Sequence, residues 1–237
     1  MDKLTKGKTH RGIVMKCERK TFIDLKAYND LKNSLRKEKG NIVCLVEGVQ
    51  GNHNVAVLIR TCIYMGTDAI IFNRKDRPDM NTQLARVSGG ASELFRFYSL
   101  RFIKNFLTKA REDGWVVVAL DTDQVWTDDN EPENEQNSPS SSSSSSDSEN
   151  EESQEHVVKN VRIDNLPNLG NEKNVIVFMT SKSESHKHSI DYLVSVPPLG
   201  DESNIDKFPY NLIKNLNTGV TAGMLLAHLR KDKGKLV

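Results

Sequence analysis

Asn54-Val55-Ala56-Val57-Leu58-Ile59-Arg60-Thr61-Cys62-Ile63-Tyr64-Met65-Gly66 is the stretch whose reading decides the fold. It opens on an amide, carries one guanidinium six residues later and stops at a glycine. Asn54 suits a helix N-cap, and Gly66 suits the left-handed residue that ends a helix. Before it, Ile42–Val46 reads as a buried strand; after it, Ala69–Phe72 reads as the next. Strand, helix and strand in so short a span form the unit from which parallel sheets are built.

Further out the same alternation continues. Trp115–Leu120, Val175–Met179 and Tyr192–Val196 read as strands. Phe102, Ile103, Phe106 and Leu107 predict an amphipathic helix capped by Ser99 and ending near Gly114. Phe22, Leu25, Tyr28, Leu31 and Leu35 recur at helical spacing up to Gly40, and residues 11–17 read as a short strand. A last helix over Thr218–Leu229 follows the second informative stretch, Leu216-Asn217-Thr218-Gly219. The expectation is an α/β fold with a mostly parallel sheet, which places ligands at the carboxyl ends of the strands. No G-x-G-x-x-G follows a strand and no G-x-x-x-x-G-K-[ST] occurs, so neither of the usual nucleotide fingerprints fits.

Composition narrows the partners. The formal net charge is +1, but residues 121–156 hold twelve acidic residues and no Lys or Arg. The rest carries 33 basic against 20 acidic residues, a balance of +13 that suits a polyanion such as RNA. Residues 1–9 read as a basic tail. Residues 121–160, with seven consecutive serines at 140–146, read as a disordered insertion in a loop, because they offer too little apolar surface to offset their ordering entropy. No apolar run is long enough for a membrane span. Cys17, Cys44 and Cys62 form no C-x-x-C pair and read as structural thiols in a reduced compartment. His186-x-His188 lacks further ligands at a convincing spacing, so no metal is expected, and no nucleophile elbow supports a triad.

Taken together these segments resemble the SPOUT (trefoil-knot) RNA methyltransferases, in the ribose 2′-O-methylating branch, nearest to the mitochondrial large-subunit rRNA type. The family's first motif, an Asn, five residues, Arg-Thr and a Gly, stands as Asn54, Arg60-Thr61 and Gly66. Its opening His-x-Gly-Ile matches His10-Arg11-Gly12-Ile13, and its Val-Ser-x-Gly-Ala matches Val87-Ser88-Gly89-Gly90-Ala91. The third motif matches Val196-Pro197-Pro198-Leu199-Gly200 and then Leu216-Asn217. The second motif departs from the pattern: the strand at 175–179 is followed by Thr180-Ser181-Lys182-Ser183-Glu184-Ser185, without the glycines of the family loop.

The resemblance implies one SPOUT domain over 10–237, with helices on both faces of the sheet and a deep C-terminal trefoil knot. It also implies an obligate homodimer, S-adenosylmethionine as cofactor, rRNA as substrate with tRNA as an alternative, and a mitochondrial location. It assigns Arg60 to clamping a phosphate beside the reacting ribose, since an arginine is a poor base but a good bidentate donor. Asn54 and Asn217 would orient that site, with helix capping as their plainer roles, and Glu184 would be the family glutamate. Thr180, Val196, Pro197, Leu216 and Gly219 match positions that meet the cofactor, chiefly through the backbone, and Gly219 stands where the family usually has a serine. A non-catalytic RNA-binding relative on the same fold is the rival reading, favoured by the missing glycines.

Overall fold

The computed structural model describes residues 2–5, 7, 9, 11–14, 18–35, 39–121, 157–169, 173–196 and 216–231. Eight strands form one sheet: β1 (Ile23–Leu25), β2 (Ile42–Val46), β3 (Ala69–Asn73), β4 (Phe97–Leu100), β5 (Val116–Asp121), β6 (Lys159–Arg162), β7 (Val175–Thr180) and β8 (Tyr192–Ser195). Among the described residues seven helices accompany them: α1 (Asp2–Thr5), α2 (Tyr28–Ser34), α3 (Asn52–Tyr64), α4 (Thr82–Val87), α5 (Ala91–Leu94), α6 (Ile103–Glu112) and α7 (Thr218–Arg230). Ile163–Asn165 and Ser183–Ser189 are 3-10 turns.

The strand order is β1-β4-β3-β2-β7-β5-β8-β6, and every pairing is parallel. The central strands read as unbroken apolar runs because both sheet faces are covered. Ile42, Cys44, Val118, Val175 and Val177 pack on one face with α3, α4 and α7; Val43, Leu45, Val117, Ile176 and Phe178 pack on the other with α2 and α6. The α/β class, the parallel sheet and the helices on both faces are as the sequence predicts. The predicted knot would involve residues 197–215, which lie outside the described residues, as do Pro197 and residues 122–156 of the expected insertion. No described helix is long and apolar enough to cross a membrane.

Helices α3 and α7 meet closely because α7 presents glycine to its neighbour. A Cβ on Gly219 would lie 2.7 Å from Val57 Cγ1 and 3.4 Å from the Leu58 backbone nitrogen; one on Gly223 would lie 3.1 Å from Thr61 Cγ2. Two glycines inside a helix cost about 1 kcal/mol each. The dry contact through Ala222, Leu225, Leu226 and Leu229, all fully buried, offsets this. At its far end, Arg230 Nη2 donates to Gly66 O at 2.5 Å and to Asp68 Oδ2 at 3.0 Å, and Asp68 also accepts from Ile42 N at 2.9 Å. The last helix is thereby tied to the strand and the turn that flank α3.

Five sequence expectations need correction. Helix α3 starts at Asn52 behind Gly51 (φ 84°), so Asn54 is not its cap; its Nδ2 instead donates to Gln50 O at 3.1 Å. The helical pattern from Phe22 to Leu35 splits into β1 and α2. Pairing with β4 overrides it, since Phe22 packs edge-on against Phe72 while Leu25 turns to the opposite face. Residues 11–14 form no strand. Ser99 lies inside β4, bonded to Asp24, and α6 begins four residues later at Ile103. Asp121 closes β5 and Lys159 opens β6, so ordered structure reaches into both ends of the segment read as an insertion.

Candidate functional site

In a parallel sheet the strands share one carboxyl edge, and the loops leaving it bring distant sequence together. Here β2 and β7 are neighbours at the centre. Glu47 follows β2 and is buried; its backbone N–H donates to Met179 O at 2.9 Å. Its carboxylate accepts from Asn73 Nδ2 (2.8 Å) through Oε1, and from Thr180 Oγ1 (3.2 Å) and His186 Nε2 (3.0 Å) through Oε2. A carboxylate only accepts, so His186 carries its proton on Nε2. Its ring stands edge-on to Phe178 at 5.2 Å.

Burial pushes the Glu47 carboxyl up, but the hydrogen bond and charge of His186, with Asn73 and Thr180, outweigh it and hold the group below the usual glutamate value. His186 Nδ1 is buried with no partner among the described residues, a cost of about 1–3 kcal/mol that the rest of the network carries. The far end of the same loop is fixed as well. Arg111 donates from Nε to Asp191 Oδ1 (3.0 Å) and from Nη1 to His188 O (2.9 Å).

This loop is the glycine-free one, and its Ser181 packs against Gly48. A Cβ on Gly48 would overlap Ser181 Oγ, and Gly48 also sits at φ 75°. The absence of a side chain at Gly48 thus leaves room for the Ser181 hydroxyl. Glu184 takes no part: its side chain is 84% exposed and pairs only loosely with Lys187 at 3.8 Å. Sequence reasoning did not single out Glu47, and it weighed His186 only as a metal ligand. The signal available for Glu47 was its place directly after an apolar parallel strand, where a carboxylate has to be partnered.

The first and third motifs meet. Asn217 Oδ1 caps α7 by accepting from Gly219 N (2.9 Å), while its Nδ2 donates to Asn54 Oδ1 (3.2 Å). Gly219 itself lies buried in the α3–α7 contact. Arg60 is exposed on α3, about 9 Å along the axis and about 240° round from Asn54, so the two do not share a face. Its guanidinium lies over the turn between α4 and α5: a Cβ on Gly89 (φ 64°) would be 3.6 Å from Nη1. Among the described residues Arg60 makes no hydrogen bond or ion pair.

At the other side of the edge, Thr180 faces Asp121 across the β7–β5 register, and Ser195 is the next residue beyond Val194, the partner of Leu120. Two strand spacings put the ends of β7 and β8 about 10 Å apart. Val196 follows β8, and Leu216, half-exposed, leads into α7. Thr180 is fully buried with its hydroxyl turned into the Glu47 network, so a ligand at this strand end meets its backbone. Strand-end carbonyls and amides fit the adenosine part of S-adenosylmethionine. A cleft of about 290 Å³ lies between Gly48–Asn52 and Asp76–Asp79 on the same edge. No group of three or more metal-ligating side chains occurs among the described residues.

Comparison with known proteins agrees with this geometry. Residues 41–138 match the model of the SpoU rRNA Methylase family. The mitochondrial rRNA methyltransferase 1 of Dictyostelium discoideum is 22% identical over 56% of this chain and 28% of its own length. The 23S rRNA (guanosine-2′-O-)-methyltransferase of Neisseria meningitidis serogroup B is 24% identical over 49% of this chain and 46% of its own. This chain thus spans about a quarter to a half of those relatives. The AdoMet-bound rRNA methyltransferase of Sinorhizobium meliloti superposes with a TM-score of 0.56 at 14% identity, over 89% of this chain and 62% of that one, a likeness of fold.

Proposed function

We propose that this chain is an RNA methyltransferase of the SPOUT type, transferring a methyl group from S-adenosylmethionine to a ribose 2′-hydroxyl of RNA, a reading supported by the SpoU family match and the likeness of fold. The observation that carries the reading is the contact between Asn54 and Asn217, which joins the first and third motifs at 3.2 Å although 163 residues separate them. The cofactor supplies an already activated sulfonium methyl. The work of the protein is alignment and proton departure, which are matters of position and charge. Thr180, Val196, Pro197 and Leu216 would hold the adenosine by backbone groups. Arg60, exposed and free of partners among the described residues, would clamp the phosphate next to the reacting ribose, acting across a homodimer. Asn54 and Asn217 would orient the ribose.

The finer reading is a guanosine in large-subunit mitochondrial rRNA, supported by the names of the two relatives. The test is transfer of labelled methyl to RNA. Arg60→Ala should lower kcat/KM at least about a hundredfold, the loss of one charge-assisted bidentate contact made in the transition state. Undiminished transfer would refute the role of Arg60.

The exposed Glu184 and the glycine-free loop favour a second reading, a non-catalytic RNA-binding relative. Titration with S-adenosylmethionine separates the two. Saturable binding supports the enzyme, and none at millimolar cofactor supports the alternative.

A further inference from the structure

The carboxyl edge continues beyond the candidate site. Past Glu47 at the end of β2 come the ends of β3, β4 and β1, and the first residues after them are Arg74, Arg101 and Lys26. At one strand spacing per step this row runs from about 5 to about 15 Å away from β2. Asp24 takes Arg74 at 3.6 Å and Arg77 at 4.0 Å, so two guanidinium groups share one carboxylate. Asp30 is occupied by the backbone N–H groups of Lys26 (2.9 Å) and Ala27 (3.1 Å), and Lys109 pairs with Glu112 at 2.6 Å. Among the described residues Lys26, Arg101 and Lys104 have no ion-pair partner.

Phe102 stands in the middle of these cations. It is 60% exposed at the start of α6, and the Arg101 guanidinium lies 5.2 Å from its ring centre. Beside it a cleft of about 180 Å³ opens between the β1–α2 turn and α6, lined by Tyr28, Phe106 and the stems of Lys26 and Lys109. A single exposed aromatic is ordinary by itself. An exposed ring with a guanidinium over one face, beside cations without ion-pair partners among the described residues, on the edge that carries the candidate site, is a more specific arrangement. Unstacked bases bind such rings by their faces while cations follow the phosphates. An acidic peptide would use the charges and leave the ring idle, and a duplex offers no free base face.

We propose that Phe102 and its flanking cations are a docking strip for single-stranded RNA, with one base stacked on the ring and phosphates over Lys26, Arg74 and Arg101. This rests on RNA being the substrate and extends it to a surface apart from the methyl-transfer residues.

The test is fluorescence anisotropy of the full chain with a labelled single-stranded oligoribonucleotide of mixed sequence at low salt, with cofactor affinity and methyl transfer measured alongside. Phe102→Leu, which keeps an apolar side chain but no aromatic face, should weaken RNA binding about tenfold, and Phe102→Trp should restore it. Arg101→Glu should weaken it further and flatten the salt dependence. Cofactor affinity should stay within twofold. RNA affinity within twofold of wild type in both Phe102→Leu and Arg101→Glu would overturn the strip. So would an equal loss for duplex RNA of the same length, or a change of oligomeric state accompanying the loss. If wild type transfers no methyl group while these variants lose RNA as stated, the strip stands and the methyl-transfer reading fails.

Discussion

Glu47 is the residue on which two loops of the site depend. Its carboxylate takes three donors from three separate segments, so it fixes the end of β2 to the ends of β3 and β7 and to the 3-10 turn. Glu47→Gln replaces one acceptor oxygen by a donor and sets it against one of those three. A buried hydrogen bond to a charge contributes about 1.5–3 kcal/mol, so denaturant unfolding at pH 7 should show a loss of that size. The pH dependence has a definite sign. The carboxyl is held below its ordinary value in the folded chain, so its contribution is present above the unfolded value and is lost as pH falls through the folded one. Wild type should therefore lose more stability than Glu47→Gln between pH 7 and pH 4. Parallel curves for the two would show that the network does not favour the ionised form.

At the scale of elements, the α3–α7 contact decides what the third motif can be. The family serine cannot simply be restored at Gly219, because its Cβ would lie 2.7 Å from Val57 Cγ1 and 3.2 Å from Asn217 Oδ1, so Val57 has to turn aside. Gly219→Ser should cost about 1–3 kcal/mol, as overpacking does. In a chain of this size that lowers the melting temperature by roughly 2–4 °C per kcal/mol, and Val57→Ala in the same chain should recover most of it. An unchanged melting temperature for Gly219→Ser alone would mean that the helices stand further apart than described here.

The same scale explains what the sequence could convey. The runs at 42–46, 116–120 and 175–179 were legible because a strand buried on both faces must be apolar throughout. The helices α3 and α7 were legible from apolar periodicity and from the glycine or asparagine at one end. What escaped was decided by distant partners. The segment Phe22–Leu35 has helical spacing, yet β4 recruits its first part. Asn54 has the chemistry of a cap, yet Gly51 turns the chain earlier. The resemblance put Asn54 and Asn217 at one site without predicting that they pair, and the Glu47–His186 bond spans 139 residues with no periodicity pointing to it.

For the whole molecule the decisive quantity is where its charge sits. Residues 122–156 hold eleven of the 32 acidic residues, and the chain enters them from Asp121, which faces Thr180 at the carboxyl edge of the sheet. The insertion is therefore tethered next to the strand ends that would meet the cofactor, on the edge where an RNA would lie. At short range and low salt its charge would compete with phosphates for the same cations. Replacing 122–156 with a neutral Gly-Ser linker of equal length changes the net charge from +1 to +12 and leaves the tether points untouched. That variant should bind a labelled RNA about tenfold more tightly at 50 mM salt, with a steeper dependence of log affinity on log salt. By 0.5 M salt, where the screening length falls to about 4 Å, the two chains should bind alike. Equal slopes for the two would mean that the acidic segment stays clear of the basic surface. In that case the +12 of the remaining chain acts on RNA undiminished and the insertion leaves substrate binding unchanged.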